Sequence, residues 1–407
     1  MKTASSRSSI EFDPFSPNFL ADPYSFYQYL REEDPIHPSP YGMWVFSRYT
    51  DIATALRDSR LSSRPSRYSV HSSSNRQRFP AAKIAGHLLP FLDPPDHTRL
   101  RRLLAKVITE TLVTDIRGRI RQIVNELLNP LVDQGELDII KDFASSLPVL
   151  VIAEILGIPD QDRRLLKEWS SWFFYIFSPM PTTETYQRLN QAILEFSDYL
   201  RELVVHRRRH PQRDVVSNLI HVRDELGQLS EDELIATCIL LFANGEETLV
   251  HLIGNGMLAL LNNPVQLRML RNQPTLIKSA VEELLRYDTP AQVVGRTATE
   301  TMRWHDRTIA AGDPIFLLLG SANRDPDRFP EPDRLNIARE DNDHLGFGGG
   351  RHSCLGAGIA RAEAQIAINT LLALTQDIVL VSDTIKWHDS IFIRGVDSLR
   401  VRFDRAI

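Results

Sequence analysis

The chain has 407 residues, of which 43% are hydrophobic and 24% charged, and its formal net charge is −5. This length accommodates one large domain or two ordinary ones, and the composition is that of a soluble globular protein. The charge balance gives no reason to expect nucleic-acid binding, and the basic triplet at residues 207–209 is interpreted as a solvated helix end.

Cysteine usage and apolar segments favour a cytoplasmic protein. The two cysteines, Cys238 and Cys354, lie far apart in sequence and cannot form a disulfide framework, which favours a reducing compartment. Met1–Phe15 lacks an apolar core, so neither a signal peptide nor a membrane anchor is expected. The longest apolar stretch, Leu147–Ile158, is interrupted by Glu154 and is too short to span a bilayer. No membrane partner is therefore expected.

Taken in chain order, the patterns predict a mainly α protein, with residues 1–407 forming a single large helical domain with small β-sheets. Up to about residue 95, helical segments accompany the strand-like Gly42–Phe46, and the Ser- and Arg-rich residues 66–80 indicate an exposed loop. Residues 291–407 are mixed, with short β-branched runs at Thr297–Ile309 and Ile378–Phe403. The part between, about residues 96–290, is predicted to be helical over Arg99–Val113, Asp115–Val132, Pro148–Leu156, Thr185–Arg209, Glu231–Leu261 and Thr275–Arg286.

The long helix Glu231–Leu261 is apolar nearly all round, which is typical of a helix buried through the middle of a large domain. Gly245 at its centre costs about 1 kcal/mol relative to alanine, and close approach by a ligand would explain it. Glu247 and Thr248, an acid next to an alcohol, could relay protons to that ligand. Alternatively the helix kinks there, with Thr248 bonded to a preceding carbonyl and Glu247 in an ion pair. The pattern leaves both readings open.

Cys354 follows the glycine run Gly348–Gly350 and precedes a helical segment, Gly358–Leu374. A helix that begins just after the sulfur directs N–H groups and its positive dipole end toward it, which favours the thiolate. The glycines allow the backbone to approach something flat and bulky. From these residues alone, a thiolate at this position is either a nucleophile or a metal ligand.

Two further pairs of residues give weaker indications of function. Glu283 and Arg286 have helical i, i+3 spacing, typical of a surface ion pair, although the later Asp333-Arg334 could complete a buried acid–base network. His97 and Arg101 share one face at the start of a helix and could clamp an anionic group, or they belong to an ordinary helix start.

Together these motifs resemble those of the bacterial cytochromes P450, which are haem-thiolate monooxygenases. The resemblance extends over nearly the whole chain, and its tail is similar to those of polyketide- and macrolide-tailoring members. It is carried mainly by the haem-binding loop Phe347–Gly356, the helix motif Glu283-x-x-Arg286 with Arg334 in the region that completes its triad, the segment Asn323–Pro326 and the tail Ile393–Leu399.

The resemblance implies haem b as cofactor, with Cys354 as the axial thiolate ligand of its iron. A thiolate donates electron density to the iron and favours O–O cleavage. A structural role is implied for the Glu283 motif, and simple packing is expected for Cys238. The remaining implied haem contacts are cationic groups at the propionates, His97, Arg101, Arg296 and His352, and residues bordering the ring, Gly245, Phe347 and Gly348.

The oxygen-activation segment departs from the family pattern at two positions. Asn244 replaces a small residue, and Leu249 replaces a second hydroxyl residue. Glu247 and Thr248 match the family's acid and alcohol, which implies oxygen activation with delivered protons. Asn244 is expected to tune the substrate pocket or a water near the haem.

The implied activity is insertion of one oxygen atom into an apolar natural product, by hydroxylation or epoxidation. Electrons would come from a separate ferredoxin or flavodoxin system, because no flavin or nicotinamide motif occurs in the chain. Arg102 and Lys106 lie where the family docks an acidic ferredoxin. Two alternatives remain: the same cofactor could drive aryl coupling, desaturation or alcohol oxidation, or the protein could bind haem and a ligand without turnover.

Substrate contacts can be placed only by region. The aromatic run Trp169–Phe177 lies where the family has a lid over the pocket, although helix packing would also account for it. The segments that match the family's recognition regions are Ala85–Leu92, Ile239–Asn244, Ala291–Val294 and Ile391–Ile393.

Overall fold

The computed structural model describes residues 16–65, 69–177, 181–225, 227–381 and 384–406. Met1–Phe15, where the sequence predicts no targeting segment, lies outside the described residues. Fifteen α-helices lie within these ranges: α1 (Pro17–Ala21), α2 (Pro23–Glu33), α3 (Tyr49–Ala55), α4 (Pro80–Ala85), α5 (Asp96–Ala105), α6 (Glu110–Val132), α7 (Leu147–Leu156), α8 (Arg163–Phe173), α9 (Thr183–Arg209), α10 (Val215–His221), α11 (Glu231–Leu261), α12 (Pro264–Asn272), α13 (Ile277–Tyr287), α14 (Leu319–Ala322) and α15 (Ala357–Leu374).

The strands are short and form small sheets beside the helices. A five-stranded sheet has the order β1-β2-β10-β7-β3, in which β2 and β10 are parallel and the other pairs antiparallel. A three-stranded sheet has the order β11-β12-β4, and β5-β6 and β8-β9 are hairpins. The strands are β1 (Ile36–Pro38), β2 (Trp44–Phe46), β3 (Leu61–Ser62), β4 (Glu136–Asp138), β5 (Arg223–Asp224), β6 (Gly227–Gln228), β7 (Val293–Ala298), β8 (Met302–Trp304), β9 (Arg307–Ile309), β10 (Pro314–Leu318), β11 (Thr375–Leu380) and β12 (Arg400–Arg405).

Helix α11 runs through the core, with the bounds that the sequence predicts. A capping box fixes its start: the Ser230 hydroxyl accepts from the Glu233 N–H at 3.3 Å, and the Glu233 carboxylate accepts from the Ser230 N–H at 2.9 Å. The helix packs against α7, α9, α13 and α15. A Cβ on Gly254 would lie 2.4 Å from Cδ1 of Ile140, so glycine there permits close packing.

Helix α11 is also the one helix among the described residues with the length and composition of a membrane span. Two thirds of its apolar window, 67%, is buried inside the protein. The core helix of a soluble protein satisfies the same criteria.

Three sequence predictions about local structure are wrong in part. The single helix Arg99–Val113 is interrupted, because α5 ends at Ala105 and Thr109 caps α6 by accepting the Leu112 N–H at 3.2 Å. In the predicted exposed loop 66–80, residues 66–68 are outside the described ranges, whereas residues 71 and 72 are buried and a 3₁₀ turn follows at 73–75.

The basic triplet is the third case, because Arg207 is buried rather than solvated. Its guanidinium lies 2.6 Å from the Asp214 carboxylate and donates to the Gly157 carbonyl at 2.6 Å. Through its bond to Gly157, Arg207 joins the end of α9 to the turn after α7. Arg208 and Arg209 are exposed, as predicted.

Candidate active site

The centre of α11 borders an internal space. Residues 244–248 are half-buried, although the helix is buried on both sides of them. A Cβ on Gly245 would meet nothing nearer than Ile152 at 3.8 Å. Because protein interiors are close-packed, exposure at the centre of a core helix marks a cavity. The helix continues without interruption through this segment, so the glycine does not end it, and a Cβ there would be in ordinary contact with Ile152 of α7.

Asn244 and Thr248 lie one helical turn apart at this cavity. The Thr248 hydroxyl donates to the Asn244 carbonyl at 3.3 Å, the local bond that the alternative interpretation predicts. The side-chain oxygen of Asn244 is buried and has no hydrogen-bond partner among the described residues. A buried amide oxygen without a partner costs free energy, which a bound molecule can recover.

The two neighbouring acids of α11 point to different partners. Glu246 makes a short hydrogen bond with the Ser170 hydroxyl on α8, and burial raises its pKa to about 7. Glu247 lies with its Oε1 3.5 Å from Nε2 of His388 and 3.9 Å from Nε2 of His251. The ion pair that the alternative interpretation predicts for Glu247 is therefore also present when these histidines are protonated.

Cys354 lies in a loop held by backbone contacts. Its N–H donates to the Phe347 carbonyl at 2.9 Å, and Gly348 and Gly350 have positive φ values of 66° and 62°, which favour glycine. A Cβ on Gly350 would lie 2.4 Å from the Leu56 carbonyl oxygen. The loop thus packs tightly against the end of α3, and the cysteine lies at the end of the loop.

Cys354 is exposed, although protein surrounds its thiol on most sides. Residues 355–361 after it are half-buried. Enclosure in the protein raises its pKa, against the lowering effects of the Gly356 and Ala357 N–H groups and of Arg101 and Arg361. The predicted help from the helix N-terminus is present, but burial outweighs it. Coordination to a metal ion would hold the thiolate form.

Four predicted cationic groups meet beside this loop. The rings of His97 and His352 lie 4.1 Å apart between centroids. Arg101 donates to the Ser353 hydroxyl at 3.2 Å, and Arg296 is held in β7 by sheet pairing with β10. Burial and the surrounding cations lower the pKa of His97 to about 4 and that of His352 to about 3. Nε2 of each histidine is buried without a partner among the described residues.

This donor set fits the propionates of a haem. The cluster combines positive groups with two ring nitrogens that have no hydrogen-bond partner among the described residues. The carboxylate of Asp93 lies close enough to raise the pKa values of His97 and Arg296. An anionic group placed there would accept their hydrogen bonds and raise the histidine pKa values. Open space adjoins the cluster at β7, since Gly295 is exposed and a Cβ there would meet nothing within 4 Å.

Glu283 and Arg286 of α13 form a fully buried pair, not a surface pair. The guanidinium donates to the carboxylate at 2.8 and 2.9 Å and to the Asn323 and Pro332 carbonyls at 2.8 Å each. The prediction that Arg334 completes the network is wrong. Its side chain is 67% exposed and pairs with Glu331.

Arg339 takes the third position instead. Its Nε donates to the Glu283 carboxylate at 3.1 Å, and the Asn336 N–H donates to the same carboxylate at 2.8 Å. Asn323, whose carbonyl accepts from Arg286, accepts the Leu345 N–H on its side-chain oxygen at 2.7 Å. The network therefore anchors the segment that leads into the Cys354 loop.

The predicted substrate regions converge in part. Ala291 and Ile393 form an isolated β-bridge, and the Gln292 N–H donates to the Phe392 carbonyl at 2.8 Å, so two of the regions are joined. Phe91 of the 85–92 region contacts Phe177 of the aromatic run, with ring centroids 5.4 Å apart. The structure does not place these regions against a bound substrate.

Helix packing accounts for the other described aromatic contacts of the predicted lid. Trp169 and Phe173 are buried in α8, and the Trp169 indole donates to Glu195 of α9 at 2.7 Å. Tyr175 is 45% exposed. Cys238 is buried in α11, as expected for a packing residue, and burial raises its pKa to about 12.

The two cations predicted to meet a ferredoxin are engaged within the chain. Arg102 pairs with Asp224 at 2.7 Å and with Glu225 at 3.2 Å. Lys106 donates to the Arg223 carbonyl at 3.1 Å. Both side chains thus hold the β5-β6 hairpin.

Sequence reasoning missed the groups around Glu247. His251 lies four residues after Glu247, a spacing that places both on one helix face and that could have been noticed. His388 comes from the C-terminal part, where no local pattern indicates its proximity to α11.

Comparison with known proteins agrees with the geometry. The family model of Cytochrome P450 matches residues 23–374. The Bacillus subtilis (strain 168) protein "Polyketide biosynthesis cytochrome P450 PksS" is 38% identical over 412 residues, covering 97% of this chain and 99% of that protein. The "6-deoxyerythronolide B hydroxylase" of Saccharopolyspora erythraea is 35% identical over 403 residues, covering 96% and 98%.

Solved structures show the same fold. P450BioI in complex with an acyl carrier protein ligated to hexadec-9Z-enoic acid superposes with a TM-score of 0.90 and 37% identity, covering 95% of this chain and 99% of that chain. The cytochrome P450 PksS of the bacillaene polyketide synthase superposes with a TM-score of 0.88, covering 97% and 100%. The chain accordingly belongs to the cytochrome P450 family, as a monooxygenase whose cofactor is haem b.

Proposed function

We propose that Cys354 is the axial ligand of the haem iron and that His97, Arg101, Arg296 and His352 bind the propionates. The observation that supports this most strongly is the cationic cluster beside the Cys354 loop, with its two unpartnered histidine nitrogens. Bound through a thiolate, haem b supplies reductive activation of dioxygen. The residues bordering the ring would be Gly245, Phe347 and Gly348, and a Cβ on Gly245 or Gly348 would make only ordinary contacts, at 3.8 and 3.9 Å.

On the α11 side of the cavity, we assign proton delivery to Glu247 and Thr248. Thr248 lies at the cavity, and Glu247 reaches toward partly exposed His388, so the pair connects the interior with the protein surface. Proton transfer by positioned side chains requires this combination of an inner alcohol and an outer acid. Asn244 would contact the substrate or a water, since its amide oxygen has no protein partner among the described residues.

The reaction that these features favour is hydroxylation or epoxidation of an apolar natural product. The residues of α11 on both sides of 244–248 are mostly apolar, and the relatives described above include a polyketide biosynthesis protein and a hydroxylase. An apolar lining with few polar groups orients a substrate without charge recognition. We place the reaction in the cytoplasm, with a separate ferredoxin or flavodoxin as the electron donor.

Reconstitution with a surrogate ferredoxin and its reductase tests the proposal. The reduced carbon monoxide difference spectrum of the wild type should show thiolate ligation, and Cys354→Ser should lose it while Cys238→Ser retains it. Candidate polyketide and fatty acyl substrates are screened for a shift of the ferric haem band and then analysed by mass spectrometry. Gain of one oxygen atom supports the proposal, whereas loss of two hydrogens or dimer formation would favour desaturation or aryl coupling.

Asn244→Ala tests the second assignment. We expect a changed substrate affinity or a changed ratio of products, because the amide oxygen then no longer accepts a hydrogen bond in the cavity. The Asn244→Asp variant keeps the shape of the side chain. Unchanged affinity and unchanged product ratio in Asn244→Ala would contradict a role for this side chain.

A further inference from the structure

Beyond the haem site, three metal-ligating side chains converge at the outer face of α11. They are Glu247, His251 and His388, whose nearest ligand atoms all lie within 4.8 Å of one another. Glu247 Oε1 lies 3.5 Å from Nε2 of His388 and 3.9 Å from Nε2 of His251. Two histidines and one glutamate are a common ligand set for zinc.

The distances are close to those that a metal ion needs. With metal–nitrogen and metal–oxygen bonds of about 2.0–2.2 Å, two ligands of a tetrahedral zinc ion lie roughly 3.3 Å apart. The two separations from Glu247 exceed this value modestly, and all three ligand atoms lie within 4.8 Å of one another, so an ion would draw them together, chiefly by moving the partly exposed His388 side chain. Glu247 and His251 are already aligned by their i, i+4 spacing on one helix.

A hairpin in the C-terminal part of the chain fixes the third ligand. The His388 N–H donates to the Gly395 carbonyl at 2.8 Å, and the Asp397 N–H donates to the Lys386 carbonyl at 2.9 Å. The same hairpin packs on His251, since a Cβ on Gly395 would lie 1.7 Å from Nδ1 of that ring. The backbone therefore holds the His251 ring in place, with its Nε2 on the side of Glu247.

Asp397 supports the site from behind. Its Oδ1 lies 3.6 Å from Nδ1 of His388, the ring nitrogen opposite the one that faces Glu247, and Lys386 lies 2.7 Å from its other oxygen. At 3.6 Å the two groups are within ion-pair distance but do not form a hydrogen bond, and a small movement of His388 toward Asp397 would let the carboxylate orient the ring and select its tautomer. Nδ1 of His251 is buried with no partner among the described residues and can carry the ring proton when Nε2 binds a metal.

We propose that Glu247, His251 and His388 bind a divalent transition metal ion such as Zn²⁺ at the outer end of the proton path, and that the bound ion slows turnover. The second part rests on the proton-delivery role proposed above for Glu247. A metal ion on that carboxylate occupies the oxygen that would accept or pass a proton. The fourth position of the ion remains open to water on the exposed side of His388.

The binding test uses the haem-loaded enzyme, whose Cys354 is engaged by iron. Equilibrium dialysis against micromolar ZnCl₂, followed by elemental analysis, should give one more tightly bound zinc per chain in the wild type than in His388→Ala. We expect at least a tenfold weaker affinity in His388→Ala and about a tenfold weaker affinity in Asp397→Asn. The reduced carbon monoxide spectrum verifies that each variant keeps its haem site.

His206→Ala is the matched control. His206 and His210 form another neighbouring histidine pair, at the end of α9, with ring centroids 5.2 Å apart. Removal of His206 should leave the tight zinc binding unchanged. Equal zinc binding by the wild type and His388→Ala, or a loss confined to His206→Ala, would overturn the proposed site.

Turnover provides a separate readout. Zinc should lower the rate of electron-donor-supported product formation in the wild type and have little effect on His388→Ala. Zinc that binds with the expected stoichiometry but leaves turnover unchanged overturns the regulatory part alone, because the proton-delivery assignment is tested separately, without zinc, by the coupling of electron consumption to product formation. The failure of each part is thus distinguishable.

Discussion

At the scale of single residues, three polar side chains at the centre of α11 have different surroundings, although they lie within one and a half turns of the helix. The Asn244 amide oxygen is buried without a partner among the described residues, the Thr248 hydroxyl donates to the Asn244 carbonyl, and Glu247 turns away toward His388. The adjacent Glu246 is directed to α8 and belongs to the packing of that helix. Neighbouring positions on a helix point about 100° apart, so consecutive acids serve different surroundings.

Thr248→Ala should uncouple electron consumption from product formation. Without the hydroxyl, protons no longer reach the cavity in an ordered way, and we expect product per electron pair to fall about tenfold or more. The measurement compares product, cofactor consumed and hydrogen peroxide released. Thr248→Ser retains a hydroxyl and serves as the control, and equal coupling in the two variants would contradict the assignment.

Glu246 predicts a pH dependence of stability. Burial raises its pKa from 4.5 to about 7, so the folded state favours the protonated carboxyl. Its stabilising effect is complete below pH 4.5 and is lost as the pH rises through about 7, at an upper limit of ~3 kcal/mol. The wild type should therefore lose more stability between pH 5 and pH 8 than Glu246→Gln, as measured by urea unfolding. Equal losses would show that the carboxyl titrates normally.

At the scale of elements, the buried network of α13 carries the segment that leads to Cys354. Arg286 donates to two backbone carbonyls of that segment, and Glu283 accepts from its backbone and from Arg339. The network thus sets where the Cys354 loop begins. A buried ion pair that loses one member leaves an uncompensated charge, which is strongly destabilising.

Variants of two arginines test which of them is the third member of the Glu283–Arg286 network, Arg339 as in the structure or Arg334 as predicted from the sequence. Arg339→Ala should reduce the free energy of unfolding by about 1.5–3 kcal/mol, because Arg339 is 10% exposed and donates a charge-assisted hydrogen bond to fully buried Glu283, which keeps Arg286 as its partner. Arg334→Ala should change it by less than about 0.5 kcal/mol, because its partner is exposed Glu331. Urea unfolding of both variants gives the comparison. A larger effect of Arg334→Ala would reverse the assignment.

The sequence could predict those parts of the structure that depend on apolar periodicity or on a local motif. The bounds of α11 follow from its capping box and its unbroken apolar composition, and the Cys354 loop from its glycines. The break between α5 and α6 was missed because apolar spacing continues across it. Arg339 and His388 were missed for another reason: their partners come from distant segments, and only the path of the chain brings them together.

At the scale of the whole molecule, we propose that residues 1–407 form one domain with α11 at its centre. The five-stranded sheet supports this, since it combines β1, β2 and β3 of the early part with β7 and β10 of the late part. Arg394 likewise reaches back to the Leu20 carbonyl at 2.8 Å. The described ends of the chain are therefore joined around the helical body.

The contact between Phe91 and Phe177 links the 85–92 region to the aromatic run after α8. We expect Phe177→Ala to weaken the binding of an apolar substrate by about 2- to 10-fold, the loss of an aromatic pair worth about 0.5–1.5 kcal/mol. Tyr175→Ala, at a neighbouring exposed position, should leave affinity unchanged. Titration of the ferric haem band measures both, and equal effects would exclude a specific closing contact.

The order of the five-stranded sheet also has a consequence for biosynthesis. Strand β2 ends at Phe46, whereas its neighbour β10 begins only at Pro314. At the ~5–20 residues per second of translation, β2 waits on the order of tens of seconds for that neighbour to emerge from the ribosome. During this interval its edge is open to pairing with other chains. Completion of the sheet, and of the pairing with β10 that holds Arg296 in β7, is thus confined to the last quarter of synthesis.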